Sequence, residues 1–301
     1  MRQSDAERSA FMGDGGLDSG GIDKQWHKGG DPLYKAMRNG FVRKVYGILT
    51  AQLFMTFGMI FVVVFVEPVK EWACGSTSAD ACCGAPSTGA CESFLRSANM
   101  RSHGGTCNLH PSGGCEVPTD SLQSALTASC VISIVFIFGI ICCESCSRQV
   151  PTNYLALFGF TLCESIMLSV VCLFVNSSAV GLAAAMTALV TAGLTAYACT
   201  TKSDFTGMGG YLYAALLTLV VCGFVGSFFS AFYQTEWIQN LYAGAGCLIF
   251  SMYIVYDTQL IVGGDHHKYE FSVDDYVFAA LNIYLDIVNL FIYILQLLND
   301  R

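Results

Sequence analysis

The sequence predicts an all-α integral membrane protein with seven transmembrane helices, and three observations carry that prediction. Of 301 residues, 53% are hydrophobic and 13% charged, with a mean hydropathy of +0.52. Soluble chains carry about 25% charged residues. Seven apolar stretches each approach the roughly 20 residues that a span needs. They are continuous rather than alternating, which disfavours a β-barrel, and a lone strand in lipid leaves its backbone groups unpaired. The same composition excludes a disordered chain and an ordinary soluble enzyme. A net charge of -8 with 15 Lys+Arg offers no basic field for phosphates, so nucleic acid is not an expected partner.

Residues 1–40 are polar and glycine-rich and read as a flexible cytosolic tail ahead of a membrane domain over 41–301. No cleavable signal peptide is visible, so the first stretch doubles as the insertion signal. The stretches run over 45–66, 122–143, 154–175, 180–200, 211–232, 241–262 and 276–298. Before the first stand Arg2, Arg8, Lys24, Lys28, Lys35, Arg38, Arg43 and Lys44. Even-numbered connections add Arg148, Lys202 and Lys268, whereas odd-numbered ones hold only Lys70, Arg96 and Arg101. Positive charge stays inside, so the N-terminus is expected in the cytosol. The length of the last stretch favours a full crossing over a re-entrant one.

One connection is long. Residues 67–121 carry Cys74, Cys82, Cys83, Cys91, Cys107 and Cys115 on the expected non-cytosolic side, where up to three disulfides suit an oxidising lumen. Their pairing is not deducible. The loop reads either as a stapled cap over the outer mouth or as a tolerated insertion. His103 and His110 lie in it, but no CxxC pair flanks them as a zinc site would need. Cys143 and Cys146 do form a CxxC beside Cys142, again without a second ligand pair, and juxtamembrane cysteines are also acylation candidates. The sequon at Asn176 sits in a very short connection.

Ionisable groups inside spans are costly, which makes them the best functional signal. Glu164, Asp257 and Asp286 lie well inside, and no Lys, Arg or His lies in the body of any stretch. Acid without base favours cations. Counting about 1.5 Å per residue from the connection 263–275 puts Asp257 at roughly 9 Å and Asp286 at roughly 15 Å depth. On facing helices the two carboxylates can meet. In an apolar setting they would not both ionise readily, and they would titrate as a unit. The alternative is two separate carboxylates, each bonded to local hydroxyls or amides. Glu164 either lines the same interior or bonds to hydroxyls on a neighbouring helix.

Paired intramembrane aspartates also occur in aspartyl proteases. Tyr256-Asp257 fits the first part of that pattern, but no glycine precedes Asp286 and the last proline is Pro151, so no Pro-Ala-Leu follows. No span carries a histidine base for a serine protease. The absence of proline from every stretch disfavours a G-protein-coupled receptor. No enzymatic activity and no cofactor are expected.

Several motifs resemble the Lifeguard branch of the Bax inhibitor (transmembrane Bax-inhibitor-motif) family. They are Phe41-Val42-Arg43-Lys44-Val45-Tyr46, Pro151-Thr152-Asn153-Tyr154, Phe160 to Ser165 and Thr201 to Thr206. The strongest is the end of the chain: Tyr256-Asp257-Thr258-Gln259, Gly263-Gly264, Asp275-Tyr276 and Ala280 to Phe291. The resemblance implies a last helix that is central and wrapped by the other six, a calcium leak, and suppression of cell death. It places Asp257 and Asp286 at the family's pH-sensing pair, and Arg148 near an arginine that latches onto that pair. The long loop 67–121, the ending Leu298-Asn299-Asp300-Arg301 and the glycine-rich tail depart from the pattern.

Two functions follow. The first is a pH-modulated calcium leak channel of the endoplasmic reticulum, Golgi or plasma membrane, in which calcium pauses transiently at Asp257 and Asp286. The second is a non-conducting regulator that binds cell-death or calcium-handling membrane proteins. The acidic interior favours the first, and the lack of a continuous polar row along any helix favours the second.

Overall fold

A computed structural model describes residues 32–66, 68–69, 120–142, 150–228, 236–264 and 267–299. The six loop cysteines, the Cys143/Cys146 motif, Arg148 and the tail up to residue 31 lie outside the described residues. Within them the chain is helical, without a strand. The helices are α1 (Pro32–Phe65), α2 (Asp120–Cys142), α3 (Thr152–Leu173), α4 (Ser177–Thr200), α5 (Gly209–Phe228), α6 (Glu236–Val262) and α7 (Tyr276–Asn299), with a 3-10 turn at Thr206–Met208. By length and composition, α1 and α3 to α7 can each cross a membrane, while α2 holds a shorter apolar core over Ser124–Ile140. The described chain therefore has six to seven spanning candidates.

Two boundaries differ from the sequence expectation. The first helix starts at Pro32, so residues 32–40 are helical and not part of a flexible tail. Proline suits a first helical position, and Arg38 in the extra turns is buried at 5% exposure against distant backbone. The sixth helix starts at Glu236, a turn before the apolar run begins. Local chemistry sets other ends. Asn176, the sequon residue, caps α4 by accepting from Ser178 N at 3.2 Å. Gly263, at φ +61°, ends α6 with its N–H on Gln259 O at 2.9 Å, the left-handed cap that glycine adopts without strain.

Burial is uneven. Of the apolar window of α7, 67% is buried, against 17% for α4 and 11% for α5. The last helix packs against α6, α1, α4 and α3; α2 joins chiefly through α3, and α5 through α6. Between helices in lipid, close fit replaces the hydrophobic drive. Gly246 on α6 illustrates it: an added Cβ would come within 2.6 Å of the Tyr293 ring on α7.

Candidate functional site

The site grows from the end of α6. Residues 257–259 (Asp-Thr-Gln) are buried, and each of their two flanking segments is tied down. The Gln259 amide works in both directions, donating to Ser203 O at 2.8 Å and accepting from Phe205 N at 2.8 Å. It thereby fastens the α4–α5 connection to α6. The Arg38 guanidinium donates to Val262 O at 3.1 Å, to Phe271 O at 2.6 Å and to Leu260 O. A cation on the last carbonyls of a helix satisfies orphan acceptors and complements the helix dipole. Beside it, Tyr34 donates to Glu270 Oε2 at 2.6 Å.

The connecting segments also clasp each other. Asp204 accepts from Thr206 N at 2.9 Å, Thr206 Oγ1 at 2.6 Å and Lys268 N at 3.0 Å, with His267 Nδ1 at 3.5 Å. Slight burial pushes this carboxyl up, but the hydrogen bonds from Thr206 and Lys268, with His267 close by, outweigh it and hold Asp204 down at about 2. Tyr269 N completes the clasp on Thr206 Oγ1 at 3.1 Å.

Held this way, α6 presents Asp257 to Asp286 of α7. They are buried at 4% and 6% exposure, and their carboxyl groups hydrogen-bond to each other. Such a bond takes one proton between the two groups. Beyond the Asp257 carboxyl, the buried Asp286 Oδ2 has no hydrogen-bond partner among the described residues. Both acids line a cavity of about 520 Å³ between α5, α6 and α7. Its other polar groups include Asn282 and Asn289, with Tyr253 and Tyr256, and among the described residues no Lys, Arg or His lines it. Asn289 Nδ2 is committed to Leu285 O at 2.8 Å.

Glu164 does not join the pair. It sits half-buried on α3, off the cavity and within electrostatic reach of Tyr284 on another side of α7. That side holds a separate cluster: Gln52 Nε2 donates to Thr161 Oγ1 at 2.9 Å, and Thr56 Oγ1 lies 2.9 Å from Tyr284 OH and 3.1 Å from Ser165 Oγ. Among the described residues no three His, Cys, Asp or Glu side chains converge on a metal position. Sequence reasoning missed Arg38, counted only as a tail charge, and Gln259, read only as part of a motif. A buried-facing arginine shows no sign of its partners in sequence, since the carbonyls it binds lie more than 220 positions away.

Comparison with known proteins places this geometry. The chain is 29% identical to Protein lifeguard 3 of Homo sapiens over 267 residues, covering 89% of this chain and 70% of the relative. It is 27% identical to the Mus musculus Protein lifeguard 3, covering 89% and 71%. To Bax inhibitor 1 of Schizosaccharomyces pombe it is 31% identical over 267 residues, covering 88% and 77%. Residues 38–301 match the family described as "Inhibitor of apoptosis-promoting Bax1", a match that begins at Arg38. With apolar helices that suit several membrane crossings and a match over nearly the whole chain, this multi-pass membrane protein belongs to the Bax inhibitor family.

Proposed function

We propose that this protein is a calcium leak of an internal or surface membrane, modulated by pH through Asp257 and Asp286, and that the leak restrains cell death. The observation that carries the reading is the hydrogen-bonded acid pair on neighbouring helices, at the wall of a cavity that no basic side chain among the described residues lines. A shared proton holds α6 and α7 together. Its loss leaves two like charges in a poorly hydrated place, which draw in water and a cation and bias the helix contact. Acid therefore lowers the leak, because protonated carboxyls attract cations poorly. Calcium takes six to eight oxygens, so an ion at this pair keeps part of its water. The proposal sets seven crossings, the last enclosed by the others, with the N-terminus and the Arg38 end in the cytosol. Arg148 is the proposed latch on the pair.

The test is calcium efflux from liposomes holding only the purified protein, scanned from mildly acidic to mildly alkaline pH at a fixed gradient. A leak that falls in acid supports the reading. A flat profile removes the pH sensor.

A second reading has its own observation: beyond the acids, the cavity wall is mostly hydrocarbon and aromatic, including Leu216, Leu219, Val220 and Phe250. A non-conducting regulator that binds cell-death or calcium-handling membrane proteins fits such a wall. Liposomes that pass no calcium at any pH select it.

A further inference from the structure

The cavity beside the acid pair is larger and more apolar than a metal ion requires. Its volume of about 520 Å³ falls among small-molecule cavities, which run to about 300–1,000 Å³. Rings of Phe250, Tyr253, Tyr256, Phe271, Phe278 and Tyr293 form much of the wall. Aromatic faces attract organic cations as well as hydrocarbon. At the polar end stand two carboxyls, one with a buried oxygen that has no hydrogen-bond partner beyond the other acid among the described residues.

The gap also has a direction. Helix α5 packs on α6 and barely meets α7, yet residues of all three form the wall. Val220 and Phe278, at 57% and 37% exposure, stand at its outer rim on apolar helix surfaces. A molecule reaching the acids by that side crosses hydrocarbon first, so it must be soluble in lipid.

We infer that the cavity binds a lipophilic amine, its ammonium on the Asp257–Asp286 pair and its apolar body between α5 and α7. The two carboxyls gather oxygen acceptors at one end of an otherwise apolar cavity, the arrangement that an ammonium with a hydrocarbon body fits. An ammonium needs three acceptors, and Asp286 Oδ2, buried with no hydrogen-bond partner beyond Asp257 among the described residues, supplies one. Neither a neutral lipid chain nor an anion satisfies that oxygen. This goes beyond calcium permeation, for it needs the charge of the pair and not a conducting path.

The full chain in nanodiscs of zwitterionic lipid, free of calcium, is titrated by calorimetry with phenylbutylamine and with its neutral counterpart phenylbutanol. The amine should bind about tenfold or more tightly than the alcohol. Asp286→Asn should erase that preference. Val220→Trp, at an exposed rim position, leaves the acid pair untouched and serves as the second variant should the first not fold. Its ring fills the gap and should weaken amine binding by about tenfold. Equal binding of amine and alcohol overturns the inference in favour of a merely apolar cavity. Amine binding untouched by Val220→Trp overturns it too, by placing the amine elsewhere. Binding is read without flux: a protein that binds the amine and passes no calcium sinks the leak and keeps this site. One that passes calcium and ignores the amine does the reverse.

Discussion

Tyr284 and Asp286 stand on the same helix, separated by Leu285 alone, and roughly 200° apart around it. Both are buried, yet their surroundings differ in kind. Tyr284 joins a neutral cluster with Thr56 and Ser165, in which hydroxyls donate and accept in turn along α1 and α3. Asp286 meets a second acid, has a buried oxygen with no other hydrogen-bond partner among the described residues, and borders open volume. Neutral hydroxyls can be satisfied by one another at little desolvation cost, so that face suits cohesion. Buried acids are costly wherever they are and are retained for what they do. One helix thus carries a joining face and a working face.

The largest expected effect comes from neither face but from what aligns the working one. Arg38 holds the end of α6 by the carbonyls of Leu260 and Val262, and the connection after it by that of Phe271. Arg38→Leu leaves the carbonyls of Leu260, Val262 and Phe271 without that donor and should cost about 3 kcal/mol in reversible unfolding in detergent. Arg38→Lys should recover only a small part, since an ammonium does not reproduce the planar fork. A loss below about 1 kcal/mol for the leucine variant would show that the α6 end holds without it.

Next come the acids themselves. Asp257→Asn and Asp286→Asn should each change calcium efflux by about tenfold, equivalent to about 1.4 kcal/mol, and flatten its pH dependence. The double variant should depart from additivity by more than about 0.5 kcal/mol, because each group sets the proton affinity of the other. Additive pH profiles would make them two independent sites. Tyr284→Phe should leave the pH profile where it was.

Stability should separate the faces by sign. Tyr284→Phe or Thr56→Val removes one bond from a satisfied neutral cluster and should cost about 1 kcal/mol. The double variant Asp257→Leu/Asp286→Leu replaces both buried acids by hydrocarbon of similar size and should be neutral or stabilising by about 1 kcal/mol. Thermal unfolding of the purified variants reads both, and losses of equal size would erase the distinction between joining and working faces.

What could be seen in the sequence follows the same division. Apolar runs marked the helices, because lipid demands length and composition that nothing else produces. Counting residues from a short connection was enough to bring Asp257 and Asp286 to similar depth, and the structure pairs them. Rotation was not legible. Glu164 looked equal to the aspartates by depth and charge, but it sits on α3, which meets α7 from the Tyr284 side. Nor could a linear reading separate Arg38 from its neighbours Lys35 and Arg43, which are exposed, since only the packed helix decides which cation turns inward. Gln52 and Thr56 were hidden for a related reason: single polar residues in an apolar run carry no sign of their partners.

The smallest effect belongs to Asp204, outside the membrane-spanning helices, and it tests whether pH acts on the working face alone. Slight burial raises this carboxyl, and the stronger effect of the hydrogen bonds from Thr206 and Lys268, with His267 close by, lowers it from 3.8 to about 2. A group depressed on folding adds stability above its unfolded value, and that stability fades as pH falls from about 4 through about 2. Between mildly acidic and mildly alkaline pH the carboxylate is charged in both states and adds no slope. Solvent reaches the Asp204 side chain, at 29% exposure, so the gain is small. Asp204→Asn should therefore flatten the acid limb of an unfolding curve between about pH 4 and 2. It should leave the calcium efflux profile near neutrality as in the native chain. Coincident acid limbs would remove the clasp as a charge-dependent anchor. A changed profile near neutrality would mean that the α4–α5 connection, and not the acid pair alone, sets the response to pH.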